Sequence, residues 1–282
     1  MKSSHVRKAR HSAGQIFWHL VLILVVCIFL YPFIYMLFSS FKKLKDIFTA
    51  GIRLLPKEFV TSNYSTVLSR LNVPMLLGNS MFVATLTMLV KMVTSVLAAY
   101  ALVFVPNRFS GKIFYFFVIT MFVPFSVIML PNYLTLSKLG LLNTLIGVVL
   151  PQLADATAIF RIRQAMRGVP KSLIEAARID KVPHMTCLLK IVMPLTKPSI
   201  VSMAIFLFVN SWNEYFWPLL ILRSNELQTI TLAMKYYTGS EGANGWGNVM
   251  ALATMSIALP LFLYLIAQRS IISTFMSSGI KE

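Results

Sequence analysis

A polar segment at residues 161–199, between two apolar runs, contains the side chains best suited to contact another molecule. Ser172 stands three residues before Glu175. This is the spacing of a capping box, in which two side chains satisfy the first backbone donors of a helix. Pro183 disfavours helical geometry in the residue before it, which ends the pattern. The sequence therefore predicts a short helix over residues 172–180, whose chemistry is recognition rather than bond making.

The predicted helix is amphipathic, with one charged face and one face of small or apolar side chains. The charged face contains Lys171, Glu175 and Arg178. The other face contains Leu173, Ala176 and Ala177, with Asp180 beside them. Two alanines allow another surface to approach closely. The segment carries eight basic residues against two acids, so it also fits a simpler interpretation, a basic loop that lies on lipid headgroups.

Motifs for catalysis are absent from the sequence. A phosphate-binding loop needs Gly-x-x-x-x-Gly-Lys followed by Ser or Thr. The nearest candidate, Gly111-Lys112, lacks the first glycine and is followed by Ile113. Cys27 and Cys187 lie far apart, and no histidines or cysteines have metal-ligand spacing. We therefore expect a non-catalytic chain without a cofactor or metal of its own.

The composition is that of a membrane protein. Of 282 residues, 57% are hydrophobic and 12% charged, and the mean hydropathy is +0.74, which does not suit a soluble domain. Apolar runs near the ~20 residues needed to cross a bilayer occur at residues 16–38, 76–104, 113–133, 143–160, 200–222 and 249–267. The expected fold class is an all-α membrane protein with six transmembrane helices.

The distribution of Lys and Arg predicts the orientation. Of 26 such residues, 16 fall on the side of the amino terminus, nine on the other side and one, Lys91, inside a run. Both termini and the segment 161–199 are therefore expected in the cytoplasm. The predicted parts are a basic arm (1–15), the first span (16–40), an outer loop (41–75), a core of five spans (76–268) and a tail (269–282).

The outer loop is unusually basic for its predicted side, with six Lys or Arg residues from residue 39 to 75 against Asp46 and Glu58. One interpretation is a solvated loop. The other is a docking surface for an acidic protein or ligand, centred on Lys42, Lys43 and Lys45. The net charge of +17 does not indicate nucleic-acid binding, because the charges are spread over the loops and no nucleic-acid-binding module is present.

Three ionisable residues fall within the predicted spans: Lys91, Asp155 and Glu214. Such residues are costly in lipid and usually face the bundle interior or a water-filled path. Together with Asn213 they are candidates for lining a solute pathway. Alternatively, Lys91 and Asp155 pair with each other, and Glu214 lies at the membrane interface among aromatic residues.

The spacing around the predicted helix resembles the EAA loop of ATP-binding-cassette (ABC) importer permeases. Glu175-Ala176-Ala177 is followed, at the intervals of that family, by position 181, Ile191 and Met193-Pro194. Lys181 replaces an expected glycine, which would allow a left-handed turn, and Met193 replaces leucine. Further matches to maltose-type (MalG-like) carbohydrate permeases are Asn79-Ser80, Pro124, Pro131-Asn132-Tyr133, residues 139–144, Trp212-Asn213-Glu214 and Trp217-Pro218.

The resemblance implies a type I importer permease of MetI/MalG-like fold, in a bacterial cytoplasmic membrane, that imports a sugar or oligosaccharide. It implies a second, different six-helix permease, two ABC ATPases that bind ATP and Mg²⁺, and an extracytoplasmic solute-binding protein. It also implies that the short helix transmits ATPase motion to a pathway with alternating access. The implied coupling residues are Ser172, Leu173, Glu175, Ala176, Ala177, Arg178, Asp180 and Lys181.

The last outer loop, residues 223–248, contains a stretch at residues 238–247 with the composition of a flexible turn. It is either a loose connector or, as the resemblance implies, a loop that contacts the docked binding protein. The candidate contact residues are Tyr237, Gly239, Glu241, Asn244 and Trp246.

Two other function classes stay open at this point. An ion-coupled secondary transporter would have inverted repeats and broken helices around an ion site, and no clear repeat is visible in the sequence. A non-conducting membrane assembly protein would form a lone homo-oligomer rather than a complex with ATPases and a second permease.

Overall fold

The computed structural model describes residues 2–49, 53–105, 107–241 and 245–279, and the regular elements in these ranges are all helical. Two 3-10 turns, at Leu150–Gln152 and Asn225–Leu227, and one π-helical turn, at Leu188–Val192, accompany the α-helices. The α-helices are α1 (Lys2–Ser39), α2 (Leu44–Thr49), α3 (Ser62–Arg70), α4 (Val73–Phe104), α5 (Ser110–Thr120), α6 (Phe125–Lys138), α7 (Leu145–Val149), α8 (Ala156–Arg167), α9 (Lys171–Ile179), α10 (His184–Cys187), α11 (Met193–Asn213), α12 (Phe216–Ile221), α13 (Ile230–Glu241) and α14 (Trp246–Gly279).

Four helical stretches are long and apolar enough to cross a membrane. They are Gln15–Ser39, Val73–Phe104, His184–Asn213 and Trp246–Ile266. Two further candidates are bent pairs, α5 with α6 and α7 with α8, which turn by 95° and 52°. The described residues thus form four spans, or six if each bent pair counts as one. The all-α membrane fold is confirmed, and six spans are found when each bent pair counts as one, with two bends that the sequence did not predict.

Both bends have local causes in the sequence. Pro124 precedes α6 in an extended conformation, and proline both lacks a backbone donor and disfavours helix in the residue before it. In the second pair, Pro151 lies in the 3-10 turn, and the Asp155 carboxylate accepts a hydrogen bond of 2.9 Å from the Ala158 amide. Asp155 is therefore the N-cap that starts α8 in a new direction.

The predicted fifth span begins earlier than its apolar run, because the helix covers His184–Asn213. The π-helical turn inside it follows from Pro194. Proline has no backbone N–H to bond four residues back, and the Met193 amide before it bonds to the Leu188 carbonyl five residues back. Most of the predicted cytoplasmic loop is consequently helical, with only short links on each side of α9.

One compact unit comprises residues 1–71 and 237–255. Its first helix carries the predicted first span, and none of the most apolar window within Gln15–Ser39 is buried in this chain. Apolar side chains exposed all around a helix require lipid or another protein as surroundings.

Lys42 is a buried structural residue of the same unit. Its side chain is 0% exposed, its Nζ donates to the Arg53 carbonyl at 2.5 Å, and it lies 4.8 Å from the centroid of the Tyr35 ring. Burial lowers the pKa of the Lys42 ammonium, and the Asp46 carboxylate offsets this only in part. The lysine thus holds the loop after α1 against the aromatic end of that helix.

The expected docking surface on Lys42, Lys43 and Lys45 is therefore wrong for Lys42, which no partner can reach. Lys43 pairs at the exposed surface with Glu58. Their hydrogen bond raises the pKa of the lysine and lowers that of the acid. Lys42 and Lys43 thus both have their hydrogen-bond partners within this loop.

The second unit, residues 72–236 and 256–282, is organised around α4. Asn72 starts this helix by accepting a hydrogen bond of 3.2 Å from the Met75 amide, with proline in the first turn. The helix packs most extensively against α8 and α11. Ala99 on α4 and Ala158 on α8 are both fully buried, and such small side chains allow membrane helices to approach closely. The cluster that contains them continues beneath α9.

The start of α9 differs from the predicted capping box. The helix begins at Lys171, Pro170 holds the N-cap position, and no side-chain cap bond forms there. Ser172 lies inside the first turn of the helix. From there its hydroxyl does not accept a hydrogen bond from the free backbone amides of that turn, as the side chain of an N-cap residue would. The capping box is therefore wrong, although the helix itself is present.

The end of α9 is a Schellman motif. Lys181 has φ of 53° and its amide bonds to the Arg178 carbonyl at 3.0 Å, while the Val182 amide bonds to the Ala177 carbonyl at 2.9 Å. Lys181 thus keeps the left-handed conformation that the expected glycine would adopt without strain. This turn, rather than Pro183, ends the helix.

Replacing Lys181 with glycine is expected to stabilise the protein by about 1 kcal/mol. A residue with a Cβ costs roughly 1–2 kcal/mol in the left-handed region, and the greater freedom of glycine in the unfolded chain offsets part of the gain. Thermal unfolding of the purified protein in detergent measures the change. Lys181→Ala is the control, because it removes the same charge but keeps the Cβ. Equal stabilisation by both variants would contradict the backbone explanation.

Candidate functional site

The buried side of α9 consists of Ile174 and Ala177, each 6% exposed. They pack in the same cluster as Phe104, Met166 and Val169 at the ends of α4 and α8. A short helix of nine residues has little stability of its own, so this contact fixes its position.

The opposite, outward face of α9 consists of exposed residues: Ser172, Leu173, Ala176 and Ile179. Ile179 is 80% exposed, which is unusual for a large apolar side chain next to a packed core. The face predicted to contain Leu173, Ala176 and Ala177 is therefore divided in this structure. Leu173 and Ala176 are exposed, as a contact face for another surface requires, whereas Ala177 is buried within the chain. Ile174 takes the buried place, and its helical spacing to Ala177 is the signal that would have identified it.

Arg178 ties α9 to the end of α4. Its Nη2 donates to the Phe104 carbonyl at 2.5 Å. The last carbonyls of a helix have no intrahelical partner, and a cation there also interacts favourably with the helix dipole. Arg178 thus connects two elements 74 residues apart in sequence, a role that the sequence did not reveal.

The links on both sides of α9 are short, residues 168–170 towards α8 and 180–183 towards α10. On the α10 side, Val182 packs against the same cluster, and the Tyr100 hydroxyl lies 3.2 Å from His184 Nδ1. Displacement of α9 must therefore move the ends of α4, α8 and α10 with it.

Lys91 and Asp155 lie together, as the pairing interpretation predicts. Lys91 Nζ is 3.6 Å from Asp155 Oδ2 and 3.3 Å from Gln152 Oε1. The two charged side chains are 15% and 24% exposed. Nearby, the Thr94 hydroxyl donates to the Leu153 carbonyl at 2.8 Å, which satisfies backbone at the bend before α8. A partly accessible ion pair thus lies midway along α4, beside a break in the neighbouring span.

Glu214 does not lie within an unbroken span. It follows the last residue of α11, and its Oε1 accepts hydrogen bonds from the amides of Phe216 at 2.8 Å and Trp217 at 3.2 Å. Its carboxylate therefore caps the start of α12. Asn213, the last residue of α11, is exposed. Both residues mark a break between two helices.

The predicted flexible turn at residues 238–247 is wrong for residues 238–241, which form the end of α13 (Ile230–Glu241), and residues 242–244 lie outside the described residues. Tyr237 and Gly239 lie inside that helix, and Tyr237 is buried. Trp246 begins α14 and is 37% exposed. Glu241 ends α13, and Asn244 lies outside the described residues.

The candidate site is the exposed side of α9 and not a metal or catalytic centre. In the described ranges no three His, Cys, Asp or Glu side chains group so as to hold a metal ion. What the geometry offers is a short helix anchored on one side by Ile174, Ala177 and Arg178 and exposed on the other.

Curated proteins of similar sequence are transport permeases. The sn-glycerol-3-phosphate transport system permease protein UgpE of Agrobacterium fabrum is 32% identical over 264 residues, covering 91% of this chain and 94% of that protein. The arabinooligosaccharides transport system permease protein AraQ of Halalkalibacterium halodurans is 30% identical over 262 residues, covering 91% and 93%.

The fold also matches a solved structure, that of a bacterial ABC transporter involved in the import of the acidic polysaccharide alginate. The TM-score is 0.78 at 24% identity, with 92% of this chain and 97% of that chain covered. The sequence pattern described as "Binding-protein-dependent transport system inner membrane component" matches residues 91–274. The chain therefore belongs to the inner membrane permease components of binding-protein-dependent ABC importers.

Proposed function

We propose that this permease receives the motion of an ATPase through α9. The observation that carries the proposal is the two-sided character of that helix. One side is anchored to α4 and α8, and the other exposes Ala176 and Ile179, which none of the described residues cover. Family membership favours an importer subunit over the ion-coupled and non-conducting alternatives.

The proposed assembly has two permeases and two ATPases. This chain pairs with a second, different six-helix permease, and each permease seats its short helix on one ABC ATPase, which binds ATP and Mg²⁺. An extracytoplasmic protein delivers the solute; a similar alginate transporter is described in complex with a periplasmic protein. Contact with ATPases places α9 and both termini of this chain in the cytoplasm, the orientation favoured by the basic residues.

Alternating access follows from the anchoring of α9. ATP binding closes the ATPase pair and displaces the helix, and hydrolysis returns it. A displacement shifts the pathway only if the contacts of α9 differ between the two states. Arg178 and the short links transmit it to the ends of α4, α8 and α10. Asp180 and Lys181 form the turn on which α9 pivots against α10.

The proposed solute is a sugar, an oligosaccharide or a related polyol derivative. The similar proteins are named for sn-glycerol-3-phosphate and for arabino-oligosaccharides, and the structural neighbour imports alginate. The first and last of these are anions. Lys91, Asp155, Asn213 and Glu214 are the proposed polar contacts along the path, since all four lie at breaks between helices or beside them.

Glu175→Lys is expected to lower solute-stimulated ATPase activity and uptake at least about tenfold. The carboxylate is exposed beside the outward face of α9, and we propose that it meets a basic side chain of the ATPase. Reversal of its charge would then place two like charges together, at a cost of more than about 1.4 kcal/mol. Reconstituted complexes measure both activities. Glu226→Lys, at an exposed residue of the second 3-10 turn, is the matched control. Normal stimulation in Glu175→Lys would contradict the proposal.

The double variant Lys91→Met/Asp155→Asn separates a pathway role from a structural one. Asparagine still caps α8, and loss of both charges leaves neither uncompensated. We expect normal assembly but uptake reduced about 10- to 100-fold, the equivalent of one hydrogen bond to a charged group. Either single variant breaks the ion pair and leaves the remaining charge uncompensated, so it serves to measure the cost of losing the pairing. Wild-type uptake by the double variant would show that the pair is only structural.

The solute class is tested on the partner solute-binding protein. Calorimetry with matched neutral and uronic oligosaccharides, and with glycerol phosphate, is expected to give binding to at least one of these classes. Binding of amino acids or peptides instead would contradict the carbohydrate assignment while leaving the ATPase coupling untouched.

A further inference from the structure

A cleft of about 400 Å³ lies beside α9, between that helix and the ends of α4 and α8. Its lining includes apolar side chains, among them Leu102 and Val103 of α4. It also includes four cationic side chains and a single carboxylate, that of Glu175. The cations are Arg163, Arg167, Lys171 and Arg178.

The cations are poorly neutralised within the chain. Arg178 donates to the Phe104 carbonyl, and the Arg163 guanidinium lies 3.8 Å from the centroid of the Phe114 ring. Arg163 Nε is buried without a hydrogen-bond partner, which is unfavourable for a donor. Among the described residues, Arg167 and Lys171 have no acidic partner within ion-pair distance. Four cations lining one cleft with one carboxylate favour the binding of an anion there.

The cleft lies at the ends of two candidate spans. The span Val73–Phe104 ends at residues that line it, and the bent pair of α7 and α8 ends at Arg167. Ends of spans are where phospholipid headgroups are expected, and a lining that combines cations with apolar side chains suits an amphiphile with a phosphate group. A soluble anion would gain nothing from the apolar part of the lining.

The cleft is also separate from the outward face of α9. Its α9 residues are Lys171, Ile174, Glu175 and Arg178, whereas Ser172, Ala176 and Ile179 point to solvent. A protein seated on the outward face therefore borders the cleft at Glu175, whereas Arg163 and Arg167 lie on a different helix, α8.

We propose that this cleft binds the phosphate headgroup of an anionic phospholipid of the inner leaflet. The headgroup neutralises Arg163, Arg167 and Lys171 and joins the end of α8 to the start of α9. The proposal rests on the proposed function in one respect, the placement of α9 on the cytoplasmic side.

Lipid retention by the assembled importer tests the proposal. The purified complex is incubated with phosphatidylglycerol or phosphatidylcholine of identical acyl chains, and native mass spectrometry counts the bound lipids. We expect the wild type to retain phosphatidylglycerol in preference to phosphatidylcholine. Arg167→Gln/Lys171→Gln should weaken this preference about 10- to 30-fold, since each basic side chain near the lipid contributes to the attraction.

Lys190→Gln/Lys197→Gln is the matched control, because it removes two exposed charges from the next helix without altering the cleft. It should retain phosphatidylglycerol like the wild type. Equal retention of the two lipids by the wild type, or equal loss in both double variants, would overturn the proposal.

Two further experiments test whether something other than a lipid fills the cleft. Displacement of phosphatidylglycerol by inorganic phosphate would assign the cleft to a soluble anion and overturn the lipid assignment. Retention only after the ATPases are stripped from the permeases would show that an acidic ATPase segment fills the cleft, which also overturns it. The number of bound lipids does not depend on ATPase coupling. Loss of lipid preference would therefore contradict only the lipid proposal, whereas normal ATPase stimulation in Glu175→Lys would contradict only the proposed function.

Discussion

The packing of one short helix against the ends of two longer ones is the interaction on which the rest of the molecule depends. A helix of nine residues is marginal by itself in water, so α9 exists because Ile174 and Ala177 are buried. Burying an isoleucine side chain stabilises by about 1.5–3 kcal/mol. The Arg178 bond to the Phe104 carbonyl adds a directional constraint. Without these contacts the exposed face would have no fixed orientation towards a partner.

The position of α9 could be predicted from the sequence, but its faces could not. The intervals around Glu175 predicted the helix, and the charge distribution predicts its side of the membrane, which stays a prediction. The capping box failed because Ser172 and Glu175 match its residue types while Pro170 already starts the helix. The predicted contact face included Ala177, which is buried within the chain beside Ile174, a residue that the prediction assigned to neither face. No local pattern could reveal the Arg178 contact, since its acceptor lies 74 residues earlier in the chain.

For the membrane spans, likewise, the sequence predicted some properties and not others: it predicted their number but not their bends. Hydropathy located all the apolar runs, because it measures length and composition. It does not report direction, so the bends of 95° and 52° were missed. Pro124 and Asp155 were visible as local signals, and both were assigned to continuous spans. Reading Asp155 as an N-cap, rather than only as a buried charge, would have predicted the second bend.

Basic residues of the chain illustrate why net charge alone says little about function. Lys42 is buried on an aromatic ring, Arg178 completes a helix end, and Lys181 sits in a left-handed turn. Each is explained by a contact or a backbone conformation. Arg167 and Lys171 have no such explanation within the described residues, although they face the same cleft as Arg163. A cluster whose charges the described part of the fold does not neutralise is therefore the part of this surface best suited to bind a second molecule of opposite charge.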